Sequence, residues 1–152
     1  MRHAGWAVLM IAFSYFEMIA KLKDGYTGKE TRSAHFFSTG VEDVFPDIAS
    51  FPPQEREETL TILYRSARCG FYHSGMAQGR ITISGEYKQS IAYSAQAKYV
   101  FINPHRLIPD LRAHFLNYIE VLTDPQNTDL RDRFARRFDH LQNWDPLVAK
   151  LS

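Results

Sequence analysis

The chain has 152 residues, and its content of 45% hydrophobic and 14% aromatic residues excludes a disordered protein. This length suits one compact domain, so we predict a single helical domain over residues 1–152. The formal charge of +1 excludes a general electrostatic attraction to nucleic acid, so any anion site must be local. Cys69 is the only cysteine, which excludes a disulfide framework or a zinc cluster of thiolates in this sequence and predicts a cytoplasmic protein.

The first predicted helix spans residues 4–23 and is apolar on nearly all sides. Its apolar run from Gly5 to Phe16 is similar to a signal peptide, but Glu17 interrupts the run and two lysines follow. The run is also shorter than the roughly 20 residues that cross a membrane. We therefore predict a helix that is buried centrally or shared with a partner chain, and no association with a membrane.

Two more helices are predicted in the first half of the chain. The second covers roughly residues 30–45 and ends before Pro46, because proline disfavours helical geometry in the residue that precedes it. The third begins after a turn at residues 50–53 and runs to Gly75. Three glutamates in its first turns support this start, because the helix dipole favours anions there.

The pattern changes after the third helix. Two short runs, 81–84 and 99–102, are β-like and predict a small hairpin or a structured loop. Asn103 and Pro104 are typical of the start of a fourth helix, in which Pro109 requires either a short preceding turn or a kink. A fifth helix with an apolar stripe is predicted after the fourth. The sequence therefore predicts an all-α fold, an up-and-down bundle of four to five helices with a small β insertion.

The end of the third helix carries the strongest functional signal. It contains Arg65, Arg68 and His73, and Arg80 follows soon after. No acidic residue lies between Thr61 and Gly85, so we predict that these arginines are free to bind an external anion.

Arg68 and His73 are five residues apart. On an unbroken helix this spacing separates them by about 140° around the axis and about 7.5 Å along it, so they lie on neighbouring faces. Two routes could bring them together. Gly70 could loosen the helix and turn His73 toward Arg68, or a two-fold dimer could place two copies of the segment face to face.

Arginine and histidine suit the cleavage of RNA. The planar arginine fork binds phosphate oxygens bidentately, and histidine titrates near neutrality and can accept and return a proton. RNA supplies its own nucleophile, the 2′-hydroxyl, so this chemistry requires neither a metal nor a cofactor. Histidine would activate that hydroxyl or protonate the leaving oxygen, and arginine would stabilise the charge that develops on phosphorus.

Residues 64–75, YRSARCGFYHSG, resemble the signature of HEPN domains, small all-α domains whose motif is an arginine, four to six residues and a histidine. The resemblance covers most of residues 4–123. It implies that Arg68 and His73 are the catalytic pair of a metal-independent ribonuclease and that the motifs of two chains meet in a homodimer. It also implies a place in toxin–antitoxin, phage-defence or RNA-processing systems, with an antitoxin or another protein as a partner.

Cys69 departs from this pattern, because active members often carry Asn, Asp or His directly after the arginine. Other HEPN domains are inactive and serve as binding or assembly modules. Two alternatives therefore stay open. The first is a silent module that uses the same surface for dimerisation or to bind a partner protein or nucleotide. The second is a regulatory domain that holds a nucleotide phosphate at Arg65 and Arg68.

Three further residues are candidates for substrate binding, namely Arg65, Tyr72 and Arg80. For Arg65 the alternative is a structural role, and for Tyr72 it is packing. The remaining histidines, His114 among them, show no metal-ligand spacing, so we predict no metal site.

Overall fold

The computed structural model describes residues 4–28 and 32–142, and helices dominate this part of the chain. The helical elements are α1 (Ala4–Asp24), α2 (Ser33–Val44), α3 (Pro46–Ala49), α4 (Pro53–Ile62), a π-helical stretch called the π-segment (Leu63–Cys69), α5 (Gly70–Ser74), α6 (Pro104–Thr123) and α7 (Thr128–Gln142). The strands are β1 (Ile81–Ile83), β2 (Ile91–Ser94) and β3 (Tyr99–Ile102). The predicted predominance of helices is confirmed. The predicted start of the second helix at residue 30 lies outside the described residues.

Aromatic side chains from three helical elements form the centre of the core. Phe13 and Phe16 of α1, Phe37 of α2 and Phe71 of α5 are fully buried. The ring centroids of Phe13 and Phe71 are 5.6 Å apart, as are those of Phe16 and Phe37. Such pairs add about 0.5–1.5 kcal/mol each beyond the area they bury. Gly40 lets α1 and α2 approach this closely, because a Cβ there would lie 1.9 Å from the carbonyl oxygen of Phe16.

One side of α1 stays exposed despite its apolar sequence. Ile11 is 74% exposed, and Val8 and Met18 are also exposed. Central burial of the whole helix is therefore wrong for this side, and sharing it with a partner chain stays a prediction. Among the described residues, no helix is both long and apolar enough to cross a membrane.

The second helix ends where the sequence predicts. α2 stops at Val44, and Phe45 leaves helical geometry with φ −125° and ψ 76°. Phe45 directly precedes Pro46, whose ring disfavours the α conformation in that residue. Pro46 then occupies the first position of the short α3, where its missing N–H costs no hydrogen bond.

α6 starts at the predicted cap. The Asn103 side chain accepts a hydrogen bond from the backbone N–H of His105 at 2.9 Å. The helix then continues through Pro109, so a separate preceding turn is wrong. His105 and Pro109 are both exposed, so water can satisfy the carbonyl that the proline leaves unbonded.

In place of the predicted hairpin, the structure has a three-stranded sheet of order β1-β3-β2. The two predicted β-like runs pair in parallel, with Ile81 opposite Val100, so they are not the arms of one hairpin. The antiparallel partner of β3 is β2, which comes from the small-residue segment between the two runs. The buried Asn103 side chain holds the intervening loop, because its amide donates to the carbonyls of Gly85 and Tyr87 at 3.1 and 2.6 Å.

A polar network connects α1, α2 and α6 at the edge of the core. The Tyr15 hydroxyl lies 2.7 Å from Nδ1 of His114, and Nε2 of His114 lies 3.1 Å from Asp43 Oδ2. Lys23 also donates to Asp43, at 2.8 Å. Burial lowers the pKa of His114 and outweighs the opposing charge of Asp43, and burial raises the pKa of Tyr15 to about 12. Neutral His114 therefore accepts from Tyr15 and donates to Asp43.

We expect this network to make stability depend on pH. The pKa of His114 is lower in the folded state than in the unfolded chain, so its contribution is complete above the unfolded pKa of about 6.5 and is lost as pH falls. His114→Asn should cost about 1–3 kcal/mol at pH 7.5, because it weakens the part-buried hydrogen bond with Tyr15 and the exposed one with Asp43. Urea unfolding at pH 7.5 and 5.0 should show a smaller pH-dependent loss in the variant than in the wild type. Equal losses would contradict the assignment.

Candidate active site around Arg68 and His73

The π-segment positions the motif arginine. Leu63 and Ala67 of this segment are fully buried and fix its inner side. At its end, the N–H of Gly70 bonds to the carbonyl of Ala67, and the Ser66 carbonyl instead accepts from the N–H of Gln78 at 2.8 Å. This bond ties the loop after α5 back to the helix. Short π-helical stretches are frequent at functional sites.

Gly70 allows the loop after α5 to pack closely against the helix. A Cβ at this position would lie 2.8 Å from the carbonyl oxygen of Met76. Gly70 itself keeps ordinary helical angles, φ −58° and ψ −47°. The expectation that Gly70 loosens the helix and turns His73 toward Arg68 is therefore wrong, because this glycine serves close packing.

Arg68 is held by an ion pair and by an aromatic ring. Its Nη2 donates to Oε2 of Glu17 at 2.8 Å, and its guanidinium carbon lies 4.7 Å from the ring centroid of Tyr72. The Arg68 side chain remains 21% exposed. Burial opposes its charge, but Glu17 raises the pKa of Arg68 above its usual range. Arg68 thus combines a fixed position with access to solvent.

No neighbour in sequence neutralises Arg68, but the prediction that it is free to bind an external anion is wrong, because it already forms an ion pair with Glu17. Glu17 lies on α1, 51 residues earlier in the chain, and the fold brings it to the arginine. A local shortage of acids in the sequence does not predict which acid a helix packs against. One signal was present, because Glu17 interrupts an apolar helix and has Lys21 one turn later on the same face.

Glu17 is itself an ionised carboxylate that accepts three hydrogen bonds. It accepts from Lys21 Nζ at 2.6 Å and from Ser33 Oγ at 2.7 Å, in addition to Arg68. Burial alone would raise the pKa of Glu17, but the hydrogen bonds from Lys21 and Ser33 and the charges of Lys21 and Arg68 lower it below its usual range.

Arg68 borders an open cavity of about 260 Å³ between α1, the π-segment, α5 and α7. We call it the Arg68 cavity. Its charged lining consists of Glu17, Lys21, Arg68 and Arg137, and Tyr72 forms part of its wall. Nη1 of Arg137 donates to the backbone carbonyl of Tyr26 at 2.8 Å. Three cations and one carboxylate make the Arg68 cavity net positive.

His73 lies in the last turn of α5 and is exposed. Its side chain forms no hydrogen bond or ion pair with any residue in the described ranges, so its imidazole is available to an external group. Gly75 follows with φ 70° and ends the helix, as a glycine readily does. The Arg68–Tyr72 contact defines one face of the helix, and His73 belongs to the neighbouring one.

The other predicted substrate-binding residues divide between locations. Tyr72 lies at the Arg68 cavity, as described above. Arg65 instead lines a separate cavity of about 410 Å³ that also includes Arg56 and Glu57. Arg80 precedes β1 and contributes electrostatically to Glu58 on α4. Neither Arg65 nor Arg80 lines the Arg68 cavity, so the structure does not bring the three arginines together in one site.

No family model, curated protein or solved structure matches this chain. The resemblance to HEPN domains therefore stays a prediction from residues 64–75. Within the described part of the chain, no cluster of three or more His, Cys, Asp or Glu side chains could hold a metal ion.

Proposed function

We propose that the protein is a metal-independent endoribonuclease of the HEPN type, with Arg68 and His73 as its catalytic pair. The observation that carries the proposal is the contrast between these two side chains. Arg68 is positioned on Tyr72 at the edge of a positive cavity, and His73 is exposed and unbonded on the next face. A fixed anion-binding group beside a free proton carrier suits the transfer of a phosphoryl group to a 2′-hydroxyl.

The roles follow from the chemistry of the two side chains. Arg68 would bind the scissile phosphate and stabilise the additional negative charge in the transition state. His73 would take the proton from the attacking 2′-hydroxyl or deliver one to the 5′-oxygen that leaves. The products would be a 2′,3′-cyclic phosphate and a 5′-hydroxyl. A toxin–antitoxin or phage-defence system in the cytoplasm is the setting that we propose.

We propose that the protein acts as a homodimer, because Arg68 and His73 lie on neighbouring faces within one chain and a second chain could complete the site. An apolar groove of about 530 Å³ between α1 and α6 offers the surface for a second copy. The exposed Ile11 lies in the groove, and Met18 lines both the groove and the Arg68 cavity. A second copy on this groove would therefore also border the Arg68 cavity. Arg112 is the one charged residue of the groove lining, which suits a self-complementary apolar contact.

Ile11→Glu should dissociate the dimer, because it places a carboxylate in an apolar interface. We expect at least about a tenfold higher dimer dissociation constant by sedimentation equilibrium. Val121→Glu is the matched control, since Val121 is an exposed apolar residue of α6 outside the groove lining. A monomeric wild type, or equal effects of the two variants, would remove the proposed interface.

The purified protein should cut RNA in the presence of a chelator and leave DNA of the same sequence intact. The 2′-hydroxyl is the proposed nucleophile, and no metal takes part in the proposed step. Gel analysis of a labelled RNA, with the matched DNA as control, tests this. Dependence of the cleavage on added divalent metal would contradict the proposal.

A catalytically silent dimerisation or binding module is the second candidate, and one observation favours it. Arg68 already has an anionic partner in Glu17, as a purely structural arginine would. This module would use the same surface for a partner protein or a nucleotide. A chain that dimerises and cuts no RNA, alone or with its partner protein, would support this second candidate.

A further inference from the structure

The wall of the Arg68 cavity contains the carboxylate of Glu17, which is surrounded by hydrogen-bond donors. Oxygens of Glu17 accept from an ammonium, a hydroxyl and a guanidinium, which come from three different parts of the chain. The same set of donors binds phosphate oxygens in proteins. Glu17 thus serves as an internal anion for a site that has the chemistry of a phosphate site.

A second arginine gives the Arg68 cavity more positive charge than the Glu17 carboxylate can neutralise. Arg137 on α7 lines the same cavity, and the contact that its side chain makes is to the neutral backbone carbonyl of Tyr26. That contact uses one guanidinium N–H and leaves the others for a further acceptor. With Lys21 and Arg68 also present, the cations exceed the single carboxylate by two.

We propose that a backbone phosphate of the RNA binds in the Arg68 cavity between Arg68 and Arg137 and displaces the Glu17 carboxylate from Arg68. The identity of the ligand as RNA rests on the proposed function. Displacement breaks one ion pair only, because Glu17 keeps its bonds from Lys21 and Ser33. Glu17 is then a tethered competitor that holds Arg68 in place when RNA is absent. Arg137 is a phosphate ligand outside the region that resembles HEPN domains.

Binding of a 2′-O-methyl RNA octamer tests this inference without cleavage, because its blocked 2′-oxygen cannot attack. We expect fluorescence anisotropy to give about tenfold tighter binding for Glu17→Gln, which removes the competing charge and keeps the size of the side chain. Arg137→Ala should bind about tenfold more weakly than the wild type. The matched control is Arg136→Ala, an exposed neighbour on α7 that does not line the cavity, and its affinity should match that of the wild type.

The inference would be overturned if Glu17→Gln bound the octamer no more tightly than the wild type and Arg137→Ala bound it as tightly as Arg136→Ala. Thermal melting establishes whether Glu17→Gln folds, and if it does not, the comparison of the two arginine variants decides alone. The expected binding changes in a protein that cuts no RNA would retain the phosphate site and reject the nuclease. Cleavage by the wild type with unchanged binding in these variants would retain the nuclease and reject the phosphate site.

Discussion

Replacing His73 with alanine should lower the rate of RNA cleavage by about 10²–10⁴-fold, the usual contribution of a general acid or base. The structure gives this variant an unusually clear outcome. His73 is exposed and its side chain has no hydrogen bond or ion pair within the described ranges, so its loss leaves the core and the Arg68 cavity unchanged. Single-turnover cleavage measures the effect on chemistry. Thermal unfolding should differ little from the wild type, because exposed substitutions of this kind usually change stability by about 0.5 kcal/mol or less.

The matched control is His35→Ala. His35 is also an exposed helical histidine, and its ring packs edge-on against Phe36 of the same helix. We expect full cleavage activity from this variant. Equal rates for His73→Ala and the wild type would show that His73 transfers no proton in the reaction, and the silent module would then be the better description.

Replacing Arg68 should cost about 10²–10³-fold in cleavage, the typical effect of removing one group that stabilises transition-state charge. Arg68→Lys is the more informative variant. A lysine keeps the positive charge beside Glu17 but loses the planar fork that binds two phosphate oxygens, so cleavage should fall while the fold persists. Arg68→Ala should also lower the free energy of unfolding by about 1–3 kcal/mol, because it removes a part-buried charged hydrogen bond.

Urea unfolding separates these two effects of Arg68→Ala. Glu17 retains Lys21 and Ser33 as partners, so the variant should stay folded and its lost activity can be assigned to the site. Arg106→Ala serves as control, since Arg106 is exposed near the start of α6 and lines a different cavity. Wild-type cleavage by Arg68→Lys would exclude bidentate phosphate binding by this residue.

Local chemistry in the sequence predicts much of the fold. The Asn103 cap and the end of α2 before Pro46 both follow from backbone constraints that depend on one or two residues. The pairing of the strands does not, because β3 pairs in parallel with β1 and antiparallel with β2, and this choice of partners depends on contacts between residues distant in the sequence. The sequence also gave no indication of the π-segment, since the residues from Leu63 to Cys69 suit an α-helix equally well.

The candidate site was predictable only where it depends on residues that are neighbours in the sequence. The pattern of residues 64–75 indicated Arg68, Tyr72 and His73 as candidates. The ion pair with Glu17 and the presence of Arg137 depend on how α1 and α7 pack against the π-segment, and no local pattern encodes that packing. The Tyr15–His114 contact was missed likewise, because its two residues are 99 positions apart.

The most direct measurement uses a DNA oligonucleotide that contains a single ribonucleotide, incubated with the protein and a chelator. If Arg68 and His73 catalyse attack by the 2′-hydroxyl, the strand is cut only after that ribonucleotide, and the fragment ends are a 2′,3′-cyclic phosphate and a 5′-hydroxyl. Mass spectrometry of the fragments identifies these ends. Cleavage at deoxyribonucleotides, a 3′-hydroxyl end, or identical cleavage by Arg68→Lys and His73→Ala would contradict the proposed function.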